Sequence, residues 1–404
     1  MKALSAAVRG IDRSPIRLML DSAARYPDAI HLEIGQPDFP TPAHIIEAAV
    51  KAARHCYTGY TANAGLLELR EAICAKLARE NDLAVTPDNV IVTIGAMQAV
   101  YASLAVVLDP GDEMLLPDPG YGNFVMASRL LHATVRDYPT LPEASFVPDF
   151  DALEGMVTPR TKAMLVNSPS NPTGAVYSAE VLRRCLDLCR RHDLYLVSDE
   201  TYDRLIFEGE HVSPARWDDE GRVLSVFTLS KTYSMTGWRV GYAVASPEIV
   251  TAMTKIQEPV VSCVNTVAQH AAIAALSGPQ DCVGEMLAHY RRRRDLAVDL
   301  AGTLGLEVSY PHGAFYLLVD VSAYPGGSLA FSQSLLDAEH VAVGPGCAFG
   351  RLCDRYVRIS LCAGEEALAE GLTRLARHLQ SAARPAAALE EEILAPVTPG
   401  QAAE

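Results

Sequence analysis

The sequence predicts an α/β protein built on a large, mostly parallel sheet with a smaller α+β domain beside it. Three observations carry that expectation. Strand and helix patterns alternate through the middle of the chain, several strands are unbroken apolar runs, and the texture changes after about residue 280.

Residues 90–94 read as a strand and 96–108 as the helix that follows it. Residues 113–116, 162–167, 194–198, 223–228 and 239–244 read as further strands, separated by helical patterns such as 179–191. A run like Ala163, Met164, Leu165, Val166 lacks polar alternation, the mark of a strand covered on both faces. Beyond residue 280 a long polar helix containing Arg291, Arg292, Arg293 and Arg294 leads to shorter strands at 315–320 and 356–361. The arginine run reads as a solvated helix face rather than a binding patch. The expected division is an N-terminal arm with part of the small domain (1–45), a large α/β domain (46–280), a small α+β domain (281–381) and a tail (382–404). The tail is rich in Ala, Glu and Pro without apolar periodicity, so disorder is expected there.

Composition narrows the function. A net charge of −15 opposes binding to a phosphate backbone, so no nucleic-acid partner is expected. No apolar run is long enough to cross a bilayer, and residues 1–10 lack the apolar core of a signal peptide. A cytoplasmic protein is the expectation. The nine cysteines are scattered and form no CxxC pair, which fits that location. Cys185 and Cys189 read as small buried residues, and the histidines show no HExxH spacing, so no metal site is expected.

The most informative stretch runs from Ser230 to Gly241. It places Lys231 just after an apolar strand, with Ser230 and Thr232 flanking it and Arg239 eight residues on. An amine held so can form a Schiff base, while hydroxyls and a guanidinium can hold a phosphate. That is the equipment for pyridoxal 5′-phosphate (PLP); the plain alternative is a surface lysine in a polar loop. Asp199 lies at the carboxyl end of a buried strand, the edge where ligands of open α/β sheets sit. An acid there can pair with a cationic ring nitrogen. Tyr202, three residues on, can donate to a phenolic oxygen and lower an imine pKa. Asn171, in the turn Asn171-Pro172-Thr173-Gly174, projects at the same edge and can donate to the same oxygen.

Gly95, Ala96 and Met97 mark a strand-to-helix junction whose first amides are free for a phosphate. Tyr121, after Asp118-Pro119-Gly120, offers a ring to stack on a pyridine. Arg358 sits inside an apolar strand, where its charge needs either a substrate carboxylate or an internal acid. Gly35 supplies a backbone that can approach a ligand closely.

With these residues in hand, the chain resembles the class I aminotransferases, PLP enzymes of the aspartate aminotransferase fold (fold type I), from roughly residue 14 to 379. The resemblance implies that Lys231 is the Schiff-base lysine and shuttles a proton between the substrate Cα and the cofactor's C4′. It implies Asp199 on the ring nitrogen, Tyr202 and Asn171 on the phenolic oxygen, and Tyr121 stacked on the ring. The Ala96 and Met97 amides, Thr228, Ser230 and Arg239 match the phosphate cup, beside Gly95. Arg358 matches the α-carboxylate clamp, assisted by Asn171 and the Gly35 backbone. Tyr60 resembles the tyrosine that reaches the neighbouring subunit's phosphate, which implies a homodimer with shared active sites.

One departure bears on specificity. Members that prefer aspartate can carry a lysine where this chain has Met97. A thioether cannot pair a distal carboxylate, so aromatic or aliphatic donors are slightly favoured over aspartate, unless Arg17 or a partner residue substitutes. The implied activity moves an amino group from an L-amino acid to a 2-oxo acid such as 2-oxoglutarate. A PLP lyase, decarboxylase or oxidase shares the same motifs. A non-catalytic PLP sensor is the remote alternative.

Overall fold

The computed structural model describes residues 2–394. One short strand, β1 (Ile30–His31), precedes the main sheet in sequence and pairs in parallel with a strand that follows it. The main sheet contains β2 (Val90–Thr93), β3 (Glu113–Asp118), β4 (Thr134–Pro139), β5 (Thr161–Asn167), β6 (Tyr195–Asp199), β7 (Val223–Thr228) and β8 (Gly241–Val244). Their spatial order is β2-β8-β7-β6-β5-β3-β4. All pairings from β7 to β4 are parallel; β8 alone runs against its neighbours β2 and β7. Every residue of β2, β7 and β8 is buried, as expected of strands with helices on both faces.

Because β5, β6 and β7 are parallel, their carboxyl ends lie on one edge. The register pairs Asn167 with Asp199, and Asp199 with Val226. Arg239, expected inside the last strand, instead adopts a left-handed conformation (φ 57°) just before β8. The chain turns there, which frees the guanidinium from the sheet.

The second layer holds β9 (Tyr316–Asp320), β10 (Val341–Ala342), β11 (Gly344–Pro345) and β12 (Tyr356–Ser360). β11, β12 and β9 form an antiparallel sheet, and β10 is the partner of β1. Leu32 donates to the Ala342 carbonyl at 2.9 Å and accepts from the Ser360 amide at 2.8 Å, so the segment before Gly35 is knitted to this layer.

One expectation needs correction. The arginine run is not a uniform solvated face: Arg293 and Arg294 are buried. Arg293 meets Asp38 through both terminal nitrogens (2.9 and 2.7 Å), and Arg294 meets Glu208 at 3.0 Å and the Pro311 carbonyl at 3.0 Å. Charge alone made the face look solvated; distant acids and carbonyls satisfy it instead. The final helix spans Glu365–Leu394 and so begins before residue 382, where the tail was expected to start. Residues 395–404 lie outside the described residues.

Among the described residues no helix is long and apolar enough to cross a membrane. No group of three or more His, Cys, Asp or Glu among them is placed to hold a metal ion.

Candidate active site

The carboxyl edge of the sheet and the second layer enclose a cavity of about 800 Å³. Lys231, Asp199, Tyr202, Asn171, Tyr121, Ala96, Met97, Thr228, Ser230, Arg239, Gly35 and Arg358 all line it. The twelve residues just named are drawn from Gly35 at one end to Arg358 at the other, so distant parts of the chain meet here. Gly95 caps the helix Ala96–Val107 at the cavity's edge. Tyr60 is not brought to the site; its ring is 93% exposed in the single chain.

Lys231 follows the turn at the end of β7. Its Nζ donates to the Gly35 carbonyl at 2.7 Å, and burial pulls its pKa down to about 8. Asp199 ends β6. Its Oδ1 accepts from the Thr201 amide (3.0 Å) and hydroxyl (2.6 Å), and among the described residues Oδ2 has no hydrogen bond. Burial raises this carboxyl to about 6, so the cavity holds an acid in need of a cation.

Asn167 organises the next strand end. It donates to the Asp199 carbonyl at 3.1 Å and accepts from the Asn171 amide at 2.8 Å. Arg358 projects from β12 and is 2% exposed. It donates to Asn171 Oδ1 at 2.9 Å and to the Glu33 carbonyl at 2.5 Å, with its guanidinium carbon 4.1 Å from the Tyr316 ring centroid. Arginine can only donate, so it fixes the Asn171 oxygen and leaves the Asn171 NH₂ free. No acid pairs with Arg358 among the described residues, and its buried Nε has no partner. The internal salt bridge weighed from sequence is therefore not formed.

Tyr316 is a site residue that sequence reasoning missed. Its hydroxyl lies 2.9 Å from that of Tyr202, and burial raises the pKa of both phenols. It sits in an ordinary apolar strand pattern, which carried no signal. Gly35 is explained by the same ring, because a Cβ there would lie 1.9 Å from the Tyr316 oxygen. Thr201 and Asn167 were likewise missed, although Thr201 lies between Asp199 and Tyr202 and Asn167 ends a strand read from the sequence.

The other end of the cavity fits a phosphate. Gly95 has φ 83°, and a Cβ on it would come within 2.6 Å of Arg239 Nη2. Arg239 is held by the carbonyls of Thr236 (2.9 Å) and Ile94 (3.2 Å). Thr228 Oγ1 and Ser230 Oγ lie 3.0 Å apart beside it. Two hydroxyls, a guanidinium and the first amides of a helix thus surround one space, an arrangement suited to a dianion.

Comparison with known proteins agrees with this geometry. A family model described as aminotransferase class I and II matches residues 27–377. The chain belongs to the class I and II aminotransferases. This aminotransferase is 43% identical over 355 residues to the aspartate/prephenate aminotransferase of Thermus thermophilus, covering 87% of this chain and 91% of that protein. It is 38% identical to a bifunctional aspartate aminotransferase and glutamate/aspartate-prephenate aminotransferase of Petunia hybrida, covering 93% and 83%. Its fold matches the Thermus thermophilus aspartate aminotransferase solved with maleate at a TM-score of 0.90, with 40% identity over 94% of this chain and all of that one. An aromatic aminotransferase from Pyrococcus horikoshii matches at 0.85, with 38% identity over 90% of this chain and 99% of that one. The fold is fold type I, and the chain is an aminotransferase enzyme.

Proposed function

We propose that this aminotransferase is PLP-dependent, works as a cytoplasmic homodimer, and transfers the amino group of an L-amino acid to a 2-oxo acid such as 2-oxoglutarate. One observation carries the reading: Arg358, a buried arginine with no acid partner among the described residues, shares a cavity with a lysine whose pKa burial has lowered to about 8. A buried cation costs several kcal/mol unless a partner arrives, and a substrate α-carboxylate is that partner.

PLP, when bound, supplies an electron sink for the electrons of the substrate Cα–H bond. Lys231 Nζ would hold it covalently and then carry the proton between substrate Cα and cofactor C4′. Asp199 Oδ2 would keep the ring nitrogen protonated. Tyr202 and the free NH₂ of Asn171 would hold the phenolic oxygen, and Tyr121 would cover the ring. Ala96, Met97, Thr228, Ser230 and Arg239 would hold the phosphate, with Gly95 giving them room. Arg358, oriented by Asn171, would fix the substrate so that its Cα–H faces Lys231. Tyr60, exposed on one chain, would reach the phosphate of a second. The division into an arm (1–45), a large domain (46–280) and a small domain (281–381) is part of the same reading.

Met97 lines the cavity beside Ile16 and Tyr121, which supports aromatic or aliphatic donors over aspartate. A second reading rests on Arg17. It lines the same cavity and makes no ion pair among the described residues, so it can meet a distal carboxylate; the names of the relatives also include aspartate and glutamate. A panel of single amino acids mixed with PLP-loaded enzyme decides between them. The first reading expects phenylalanine or leucine to convert bound PLP to pyridoxamine 5′-phosphate faster than aspartate, with Arg17→Ala changing those rates less than about twofold. A lead for aspartate that Arg17→Ala abolishes would establish the second.

A further inference from the structure

Behind the cofactor-facing edge lies a buried polar cluster that the mechanism does not use. Asp199 and Tyr202 face the cavity, while the residues that follow each of them, Glu200 and Asp203, face the cluster. Lys76, on the helix Leu67–Glu80, pairs with Asp203 and donates to Asn81 Oδ1 at 2.8 Å. Asn81 Nδ2 then lies 3.3 Å from His211 Nδ1 and 3.4 Å from Asp203 Oδ2. His211 Nε2 lies 3.1 Å from Glu200 Oε2, and among the described residues neither atom makes a hydrogen bond. Glu200 Oε1 accepts from Ser213 Oγ at 2.8 Å.

The donors and acceptors orient the histidine ring. An ammonium only donates, so the Asn81 oxygen must face Lys76 and its NH₂ must face His211. His211 Nδ1 therefore accepts. Nε2 is the ring nitrogen beside Glu200. Nearby charges are Glu80, which pairs with both Arg204 and Arg79, and Lys76, 4.0 Å from Glu80. Glu200, the carboxylate beside His211, is next in sequence to Asp199.

We propose that His211 is a positioning residue for the cofactor: by holding Glu200 from behind, it fixes the Asp199–Tyr202 segment that meets the cofactor's ring nitrogen and phenolic oxygen. The Glu200 amide anchors the same segment from β7, donating to the Val226 carbonyl at 2.8 Å. His211 needs no contact with the cofactor to act. This proposal rests on the PLP reading.

The test compares His211→Leu, His211→Gln and Glu200→Gln with wild type. Each purified apoenzyme is titrated with PLP, and the visible band of the bound cofactor is recorded against pH alongside thermal unfolding. We expect His211→Leu to weaken PLP binding roughly tenfold and to shift the pH midpoint of the band. His211→Gln, whose amide can still donate to Glu200, recovers most of both. A folded His211→Leu enzyme with wild-type affinity and spectrum overturns the proposal, whatever its melting temperature. If His211→Leu does not fold, Glu200→Gln decides in the same way, with unchanged affinity and spectrum overturning it. Wild-type enzyme that takes up no PLP removes the cofactor reading and this proposal together; wild-type binding matched by all three variants removes this proposal alone.

Discussion

A lysine that must attack a carbonyl near neutral pH has to lose solvent around its amine, and Lys231 does so under the Gly35 carbonyl. Only the neutral amine reacts. PLP capture by the apoenzyme should therefore speed up as pH rises and level off above about 8, a profile that stopped-flow mixing across pH 6–10 reads directly. Asp199 shows the opposite shift. Its folded pKa of about 6 lies above the unfolded 3.8, so the folded apoenzyme binds more protons between those values and loses stability as pH rises through them. The penalty, about 3 kcal/mol at neutral pH, is relieved by a cationic ring nitrogen. Asp199→Asn should accordingly make the apoenzyme more stable to urea at pH 7 while reducing the stabilisation that PLP adds. Arg358 carries the substrate end. Arg358→Lys keeps the charge but loses the planar fork, and kcat/KM should fall roughly 10²-fold or more for every amino acid. Equal loss across donors would separate an α-carboxylate role from a side-chain role.

At the scale of elements, the site is assembled from ends. β5, β6 and β7 deliver Asn167, Asp199 and Thr228 to one edge because they are parallel, and the helix Ala96–Val107 opens at the same edge. The junction at Gly95 tolerates no side chain, since its φ is positive and Arg239 lies where a Cβ would go. Gly95→Ala should weaken PLP binding about tenfold or more by displacing Arg239, measurable by equilibrium dialysis. The second layer is tied on differently. Arg293, on the helix Asp281–Leu304, grips Asp38 and so steadies the turn that carries Gly35. Arg293→Ala should cost about 2 kcal/mol of stability in urea unfolding, less than a fully buried pair because Asp38 is partly exposed.

At the scale of the whole molecule, the legible parts were those with local signals. Lys231, Asp199, Asn171 and Arg358 each stand at or in a buried strand, where a polar residue is conspicuous, and the cavity brings all four together. Tyr316 was hidden because a tyrosine in an apolar strand looks like core. The reversed direction of β8 was hidden because pairing direction leaves no mark on a short apolar run. Arg293, Arg294 and the His211–Glu200 cluster were hidden because their partners lie far away in sequence or in another element. Tyr60 remains an exposed ring whose proposed role needs a second chain.

The central claim is that the enzyme stores an amino group and gives it back. Mixing PLP-loaded enzyme with one amino acid, and then with 2-oxoglutarate, tests it most directly. One pyridoxamine 5′-phosphate per subunit is expected in the first step, its return to PLP in the second, and a matching 2-oxo acid. Release of ammonia or carbon dioxide without any pyridoxamine form would contradict it.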